Sequence, residues 1–174
     1  MMGDALHWLK LPLAFWKNRK PVIAGTRDKN GVECAPNVIQ DMNNILDEAK
    51  LANNGGPPTG PERGFVVYGT PGHYFFSPEI VAPPGATPCT LGVPPSMLNG
   101  AVAYIHLHPD GCAPVLSPLD IALANNNGIP VLAESSSGLY EYSPGQDAQV
   151  ELSKNYDWTK PCPLPARPNK GVGQ

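Results

Sequence analysis

The sequence lacks long hydrophobic runs and has few charged residues. No stretch of eighteen consecutive apolar residues occurs, so we expect no transmembrane segment. Charged residues make up 16% of the chain, below the roughly 25% of an average soluble domain. The net charge is −3, and lysine and arginine form no continuous basic stripe. Binding driven by phosphate contacts is therefore disfavoured, and we expect no nucleic-acid partner.

Cysteine pairs of the Cys-x-x-Cys type are also absent. Their absence argues against a zinc ribbon and against a thioredoxin-type redox motif. The chain has four widely spaced cysteines, Cys34, Cys89, Cys112 and Cys162. One or two disulfides are compatible with this number, and three pairings exist if all four cysteines engage. The cysteine count therefore leaves the redox compartment open.

The N-terminal segment does not have the order of a secretory signal. Its apolar part, residues 5–16, is interrupted by Lys10 and Pro12, and a basic cluster follows at residues 17–20. A secretory signal has its basic residues before the apolar region. We expect an amphipathic segment that packs on the domain or on a partner, with a weak membrane-surface anchor as the alternative. The protein would then be cytoplasmic or delivered by a secretion system.

Proline and glycine are abundant, with 22 and 18 residues, about twice their average share. Long uniform helices are therefore disfavoured, whereas hydrophobic residues at 41% suffice for one core. We predict an N-terminal arm over residues 1–35, a single α+β domain over residues 36–157, and a proline-rich tail over residues 158–174. Within the domain, residues 82–99 hold five prolines and are expected to form a covering loop.

Hydrophobic periodicity indicates two helices and five strands. Val38, Met42, Ile45 and Ala49 recur at helical spacing and predict a helix over residues 38–50. The other predicted elements are a helix at residues 117–126 and strands at residues 64–68, 73–76, 101–108, 129–133 and 139–142. Together these elements predict a central mixed β-sheet flanked by helices.

The most informative stretch is a histidine pair at the end of a predicted strand. Alternate side chains of a strand point to the same face, so His106 and His108 emerge side by side. Pro109 ends the strand and places His108 at its rim. Two imidazoles in this arrangement can converge on one metal ion, each at ~2.0–2.1 Å for zinc.

A helix start follows the histidine pair at Ser117-x-x-Asp120. Serine as the N-cap, with proline and an acid in the first turn, is typical of a helix N-terminus. The same turn can bring Asp120 back to the histidines. The set His106, His108 and Asp120 leaves a fourth tetrahedral position open, which is the arrangement of a catalytic zinc site.

A hydrolytic zinc site also needs a general base. Glu62 stands just before the predicted strand at residues 64–68 and faces the metal if that strand neighbours the histidine strand. Cys112 is a candidate for a different role. It could act as a nucleophile paired with His108, or it could be an extra metal ligand. The spacing also leaves four rival glutamates, Glu33, Glu48, Glu79 and Glu134.

The histidine pair, the Ser117-x-x-Asp120 turn and the upstream Glu62 together resemble the JAMM motif of the JAB/MPN metalloprotease family. The resemblance covers about residues 36–145. It is most similar to the JAB-like domains found at the C-termini of bacterial polymorphic toxins. The loop between the second histidine and the serine has one residue more than the usual family pattern.

The resemblance implies a JAB/MPN-like fold and a metallopeptidase function. Zn²⁺ would be held by His106, His108 and Asp120, with no other cofactor. Glu62 would act as the general base, and Ser117 would help to hold the attacking water or the developing oxyanion. The implied reaction is hydrolysis of an amide or isopeptide bond in a protein or peptide substrate.

The likeness to toxin domains also implies a bacterial effector, with an immunity or carrier protein as a partner. Many members of the family have lost the metal and serve as scaffolds. The alternative function is therefore a catalytically inactive MPN-like interaction module. Its contact surface would be the N-terminal arm, the proline-rich loop, or both.

Overall fold

A computed structural model describes residues 20–163, so residues 1–19 of the predicted arm and residues 164–174 of the predicted tail lie outside the described residues. Within that range the chain forms two α-helices, α1 (Pro36–Leu51) and α2 (Pro118–Asn127). The eight strands are β1 (Val22–Ala24), β2 (Arg63–Thr70), β3 (His73–Phe76), β4 (Ile80–Val81), β5 (Ala101–Leu107), β6 (Val131–Ser135), β7 (Gly138–Tyr142) and β8 (Gln149–Lys154).

All these strands belong to one mixed sheet. Their order is β1-β8-β7-β6-β5-β2-β3, and β4 pairs with β2 outside this path. Strands β5 and β6 are parallel, as are β1 and β8, whereas the other neighbours are antiparallel. Parallel neighbours need a crossover connection, and α2 supplies it between β5 and β6. The predicted α+β class with a central mixed sheet is confirmed.

Helix α1 covers one face of the sheet. Its buried side chains include Val38, Met42 and Ile45, which pack in one core cluster with Phe65 and Ile105 of the sheet. Complete burial of a side chain of this size contributes about 1.5–3 kcal/mol. The apolar stripe that predicted the helix is therefore the stripe that attaches it to the sheet.

Both ends of the described chain are attached to this core. Trp158, at the start of the predicted tail, is fully buried, and its indole Nε1 donates to the carbonyl oxygen of Ser135 at 3.0 Å. Residues 22–24, within the predicted arm, join the sheet as β1. A disulfide between Cys34 and Cys162 links the two ends. These segments therefore belong to the folded domain.

The opposite face of the sheet carries α2 and a second core cluster. Because alternate residues of a strand face opposite sides, Ile105 and Leu107 of β5 point toward α1. Tyr104 of the same strand packs with Ile121 of α2 in the second cluster. His106 shares the face of Tyr104, so the histidines lie on the α2 side of the sheet.

Glu134 on β6 is a carboxyl group buried on the α1 side. It is fully buried, and neither side-chain oxygen has a hydrogen-bond partner in the described part of the chain. Burial raises the pKa of this carboxyl well above its usual range, and the charge of Asp41 on α1 adds to the shift. The folded protein therefore favours the protonated form of Glu134.

We expect Glu134→Gln to stabilise the protein at alkaline pH. The unfolded chain releases this proton above about pH 4.3, whereas the folded chain retains it. The wild type therefore loses stability, by about 1.4 kcal/mol per pH unit, as the pH rises from that value to the raised folded-state pKa. Urea unfolding in EDTA should give a variant advantage that grows with pH, and the exposed-site control Glu48→Gln should give none. A difference independent of pH would contradict the burial of an uncompensated carboxyl group.

Candidate metal centre

Strand β5 and the residue that follows it bring both histidines to one buried point. His106 lies near the end of the strand and His108 directly follows it. The two residues are 1% and 5% exposed, and their Nε2 atoms lie 2.8 Å apart. The backbone N–H of His108 donates to the carbonyl oxygen of Glu134 at 2.9 Å, which holds the second histidine beside the sheet.

Each imidazole ring is held by a neighbour. The ring of His106 stacks on Tyr104, with centroids 4.9 Å apart and planes 6° from parallel. Nδ1 of His108 lies 2.6 Å from the carbonyl oxygen of Ala113. Because a carbonyl oxygen only accepts, this Nδ1 carries a proton, and Nε2 of neutral His108 presents its lone pair to His106. A backbone carbonyl on the outer ring nitrogen is typical of metal-ligating histidines.

The first turn of α2 places Asp120 against the histidine pair. Ser117 is the N-cap and forms a capping box with Asp120. Oδ2 of Asp120 accepts from the backbone N–H and from the hydroxyl of Ser117, both at 2.7 Å. Oδ1 lies 3.4 Å from Nε2 of His106, and Oδ2 lies 3.9 Å from Nε2 of His108. The Ser117 hydroxyl therefore orients the carboxylate.

Strand register places Glu62 beside His108. Strand β2 runs antiparallel to β5 with Arg63 opposite Leu107, so the residue before Arg63 meets the residue after Leu107. Glu62 is 3% exposed, and its Oε1 lies 3.7 Å from Nε2 of His108. This oxygen has no hydrogen-bond partner among the described residues.

The rival glutamates lie elsewhere. Glu79 pairs with Arg63 at 2.9 Å, and Glu134 is buried on the α1 side of the sheet. Glu48 is exposed on α1, and Glu33 lies in a short 3-10 helix before α1. In the portion of the chain that is described, none of the four belongs to the buried group around the histidines.

Gly64 is a site residue that sequence reasoning missed. It pairs directly with His106 across β2 and β5. A Cβ at this position would lie 2.8 Å from Cβ of His106 and 2.8 Å from the carbonyl oxygen of Ile105. The close approach therefore requires glycine, and an isolated glycine at the start of a β-rich run was the available signal.

Burial and mutual charge shift the acid–base properties of this cluster. Burial raises the pKa of Glu62 to about 7, with Asp120 adding to the shift and His106 opposing it. Burial, together with the charge of His106, lowers the pKa of His108 to about 4. Burial also acts to lower the pKa of His106, but Asp120 and Glu62 outweigh it and raise this pKa. Burial would raise the pKa of Asp120, yet the two histidines hold it well below its usual range.

The buried group Glu62, His106 and His108 could hold a metal ion, because its donor atoms lie within 4.8 Å of one another. Imidazoles combined with carboxylates suit zinc and several other transition metals. Donors at ~2.0–2.1 Å from a tetrahedral zinc ion lie about 3.3 Å apart. The distance of 3.4 Å between Nε2 of His106 and Oδ1 of Asp120 is close to this value. The Nε2 atoms of the two histidines are 2.8 Å apart, so metal binding would require them to move apart by about half an ångström. The donor set therefore fits a divalent metal.

A cleft of about 680 Å³ opens beside Glu62. Its walls are formed by residues 60–62, by Val81 of β4 with residues 82–90 of the proline-rich segment, and by residues 109–112. The carboxyl side chains in this described lining are Glu62 and Asp110, and the lining includes no lysine, arginine or histidine. The cleft therefore offers no basic side chain to pair with an anionic ligand.

A disulfide joins two walls of the cleft. Cys89 in the proline-rich segment is bonded to Cys112 in the loop after His108. Cys112 directly precedes Ala113, whose carbonyl oxygen holds the ring of His108. The hypotheses of Cys112 as a nucleophile or as a metal ligand are wrong, because its sulfur is bonded to Cys89.

We expect Cys89→Ser/Cys112→Ser to weaken metal binding by about 10–100-fold, the usual effect of losing support behind a metal ligand. The loop that orients His108 loses its covalent anchor, while the ligands themselves remain. Titration of Zn²⁺ against a chromophoric chelator measures the affinity, with Ile45→Val in the α1 core as a matched mild perturbation. Wild-type affinity in a folded double-serine variant would contradict this role of the disulfide.

Comparisons with known proteins do not assign this chain to a family. No family model, no curated protein and no solved structure matches it. The functional hypothesis therefore rests on the residues of the candidate metal centre and on the motif that they resemble.

Within the residues that the structure describes, no helix has the length and the apolar character that crossing a bilayer requires.

Proposed function

We propose that the protein is a zinc-dependent hydrolase that cleaves amide or isopeptide bonds in peptide or protein substrates. The observation that carries this proposal is the convergence of two imidazoles and two carboxylates at one buried point, where Glu62 also lines an open cleft. Asp120 lies 3.4 Å from His106, and Glu62 lies 3.7 Å from His108. The resemblance to the JAMM motif supports the same chemistry and a JAB/MPN-like fold.

In this proposal His106, His108 and Asp120 hold the metal. Asp120 suits this role because Ser117 fixes one of its oxygens at 2.7 Å and leaves the other facing His106. A zinc ion at this point supplies a Lewis acid that polarises a carbonyl group and makes water more acidic. Glu62 is then the carboxylate left for proton transfer.

Glu62 acts first as a general base and then as a general acid. Its Oε1 makes no hydrogen bond to any described residue, so it is available to take a proton from the attacking water. The water oxygen bonds to the carbonyl carbon, and the carbon–nitrogen bond breaks. Glu62 returns the proton to the departing nitrogen, which leaves as an amine.

The cleft supports a peptide-like substrate. A volume of about 680 Å³ lies within the range of pockets that take small ligands or a few residues of chain. The described lining has no lysine, arginine or histidine to pair with a phosphorylated or otherwise anionic substrate. An extended, neutral or cationic segment, which includes a lysine-linked isopeptide, matches this lining.

A cleavage screen tests the proposed reaction. We expect zinc-loaded wild type, incubated with linear and lysine-branched peptide pools, to release new amines that mass spectrometry detects. EDTA should abolish the release and added Zn²⁺ should restore it, while Glu62→Gln serves as the matched inactive control. Absence of cleavage of both pools by zinc-loaded wild type would contradict the hydrolase proposal.

The two disulfides support a place of action outside a reducing cytoplasm. All four cysteines are paired, as Cys34–Cys162 and Cys89–Cys112. Disulfides persist in secreted, periplasmic and cell-surface proteins and are rare in the cytosol. We therefore favour a delivered or exported effector over a resident cytoplasmic enzyme. A carrier or immunity protein as a partner is implied only by the resemblance to toxin domains.

A further inference from the structure

The last residue before the α2 cap is held by a side chain that lies far away in the sequence. Leu116 is fully buried and directly precedes Ser117. Its backbone N–H donates to Oε1 of Gln149 at 2.9 Å. Its carbonyl oxygen accepts from Nε2 of Gln149 at 3.0 Å. One side-chain amide therefore satisfies both backbone groups of one residue, as a neighbouring strand would.

Gln149 is itself rigidly placed. It is fully buried and is the first residue of β8, where its backbone N–H donates to the carbonyl oxygen of Pro21 at 2.7 Å. Its Nε2 also lies 3.4 Å from the carbonyl oxygen of Lys20. A buried amide with its donor and acceptor engaged is an anchor of fixed position and direction.

The anchor acts on the metal centre through two residues. Leu116 is covalently followed by Ser117, whose backbone N–H and hydroxyl both donate to Oδ2 of Asp120 at 2.7 Å. That pair of bonds turns Oδ1 of Asp120 toward Nε2 of His106 at 3.4 Å. A shift of Leu116 therefore moves the cap and, with it, the carboxylate.

We propose that Gln149 is a positioning residue of the metal centre, which fixes the Asp120 ligand through the backbone of Leu116. This inference rests on the proposed function for the identity of Asp120 as a ligand. Gln149 contributes no ligand atom and touches no substrate. Its role is to hold the entry to α2 so that Asp120 meets the histidines without rearrangement of the loop.

Gln149→Met tests the proposal, because methionine is unbranched and of similar length but cannot bond to both groups of Leu116. We expect Co²⁺ and Zn²⁺ affinity to fall about 10–100-fold, with altered visible absorption bands of the Co²⁺ form. Ile45→Val is the control for mild destabilisation on the other face of the sheet, and its affinity and spectrum should equal those of the wild type. A second readout in EDTA is hydrogen exchange of the Leu116 amide, which we expect to accelerate about tenfold or more in Gln149→Met.

Each result decides a separate point. Wild-type Co²⁺ spectrum and affinity in Gln149→Met, or an equal loss in Ile45→Val, would overturn the positioning role. Unchanged exchange of the Leu116 amide would overturn it regardless of metal. Wild type that takes up no Co²⁺ would overturn both the proposed function and the role of Gln149 at a metal centre. In that case, faster exchange of the Leu116 amide in Gln149→Met would still show that Gln149 restrains the loop.

Discussion

Replacing Glu62 with glutamine is expected to lower amide hydrolysis by about 10²–10⁴-fold, the usual contribution of a general acid–base group, while the metal stays bound. Glutamine keeps the size of the side chain but cannot take up the proton of the attacking water. The buried Oε1 of Glu62 has no hydrogen-bond partner in the described structure, so no other contact has to be broken for this role. Turnover of a cleaved peptide, measured beside the zinc content of the same sample, checks both parts of the expectation.

Asp120→Asn is the matched comparison, because it makes the same chemical change on the other carboxylate. We expect this variant to lose zinc affinity by about tenfold or more and activity with it. Glu62 also lies within metal-binding distance of the histidines, so either acid could be the metal ligand. Comparing the two variants distinguishes the ligand from the general base. Loss of zinc from Glu62→Gln with retention in Asp120→Asn would mean that the roles of the two acids are exchanged.

Removal of the Cys34–Cys162 disulfide is expected to cost about 5 kcal/mol of folding free energy. The bond spans a sequence separation of 128 residues, and the entropic cost of closing a loop rises with its length. A loss of this size equals the whole stability of many domains. Cys34→Ser/Cys162→Ser should therefore be largely unfolded at 37 °C.

Urea unfolding under non-reducing conditions, in EDTA, measures the loss. The shorter Cys89–Cys112 loop, with a separation of 23 residues, is the internal comparison, and its removal is expected to cost about 3 kcal/mol. Equal stability of the wild type and Cys34→Ser/Cys162→Ser would contradict the role of this bond in holding together the two ends of the described part of the chain.

Part of the candidate metal centre could be predicted because His106, His108 and Asp120 follow from local rules. Alternation along β5 places His106 and His108 on one face, and the cap residues place Asp120 in the first turn of a helix. Glu62 required one long-range condition, the pairing of β2 with β5, and the register of Arg63 with Leu107 meets it. Local patterns therefore predict the two histidines and Asp120, whereas the selection of Glu62 among the glutamates depends on the JAMM resemblance and on the pairing of two distant strands.

Other features of the fold depend on contacts that no local pattern records. Strand β1 is three residues long and exposed throughout, so it shows no alternation between apolar and polar residues. The disulfide pairings depend on which loops meet in space. Gln149 and Glu134 are polar residues with no motif around them, and only the packed sheet reveals that both are buried.

Metal content is the most direct test of the proposed centre. Plasma mass spectrometry of the purified wild type should find about one zinc ion per chain, and His106→Ala/His108→Ala purified in parallel should contain none. Both proteins should be folded by circular dichroism, so that loss of metal reports on the ligands. Wild type that is free of metal and takes up no added Zn²⁺ would contradict the metallopeptidase proposal and favour the inactive interaction module.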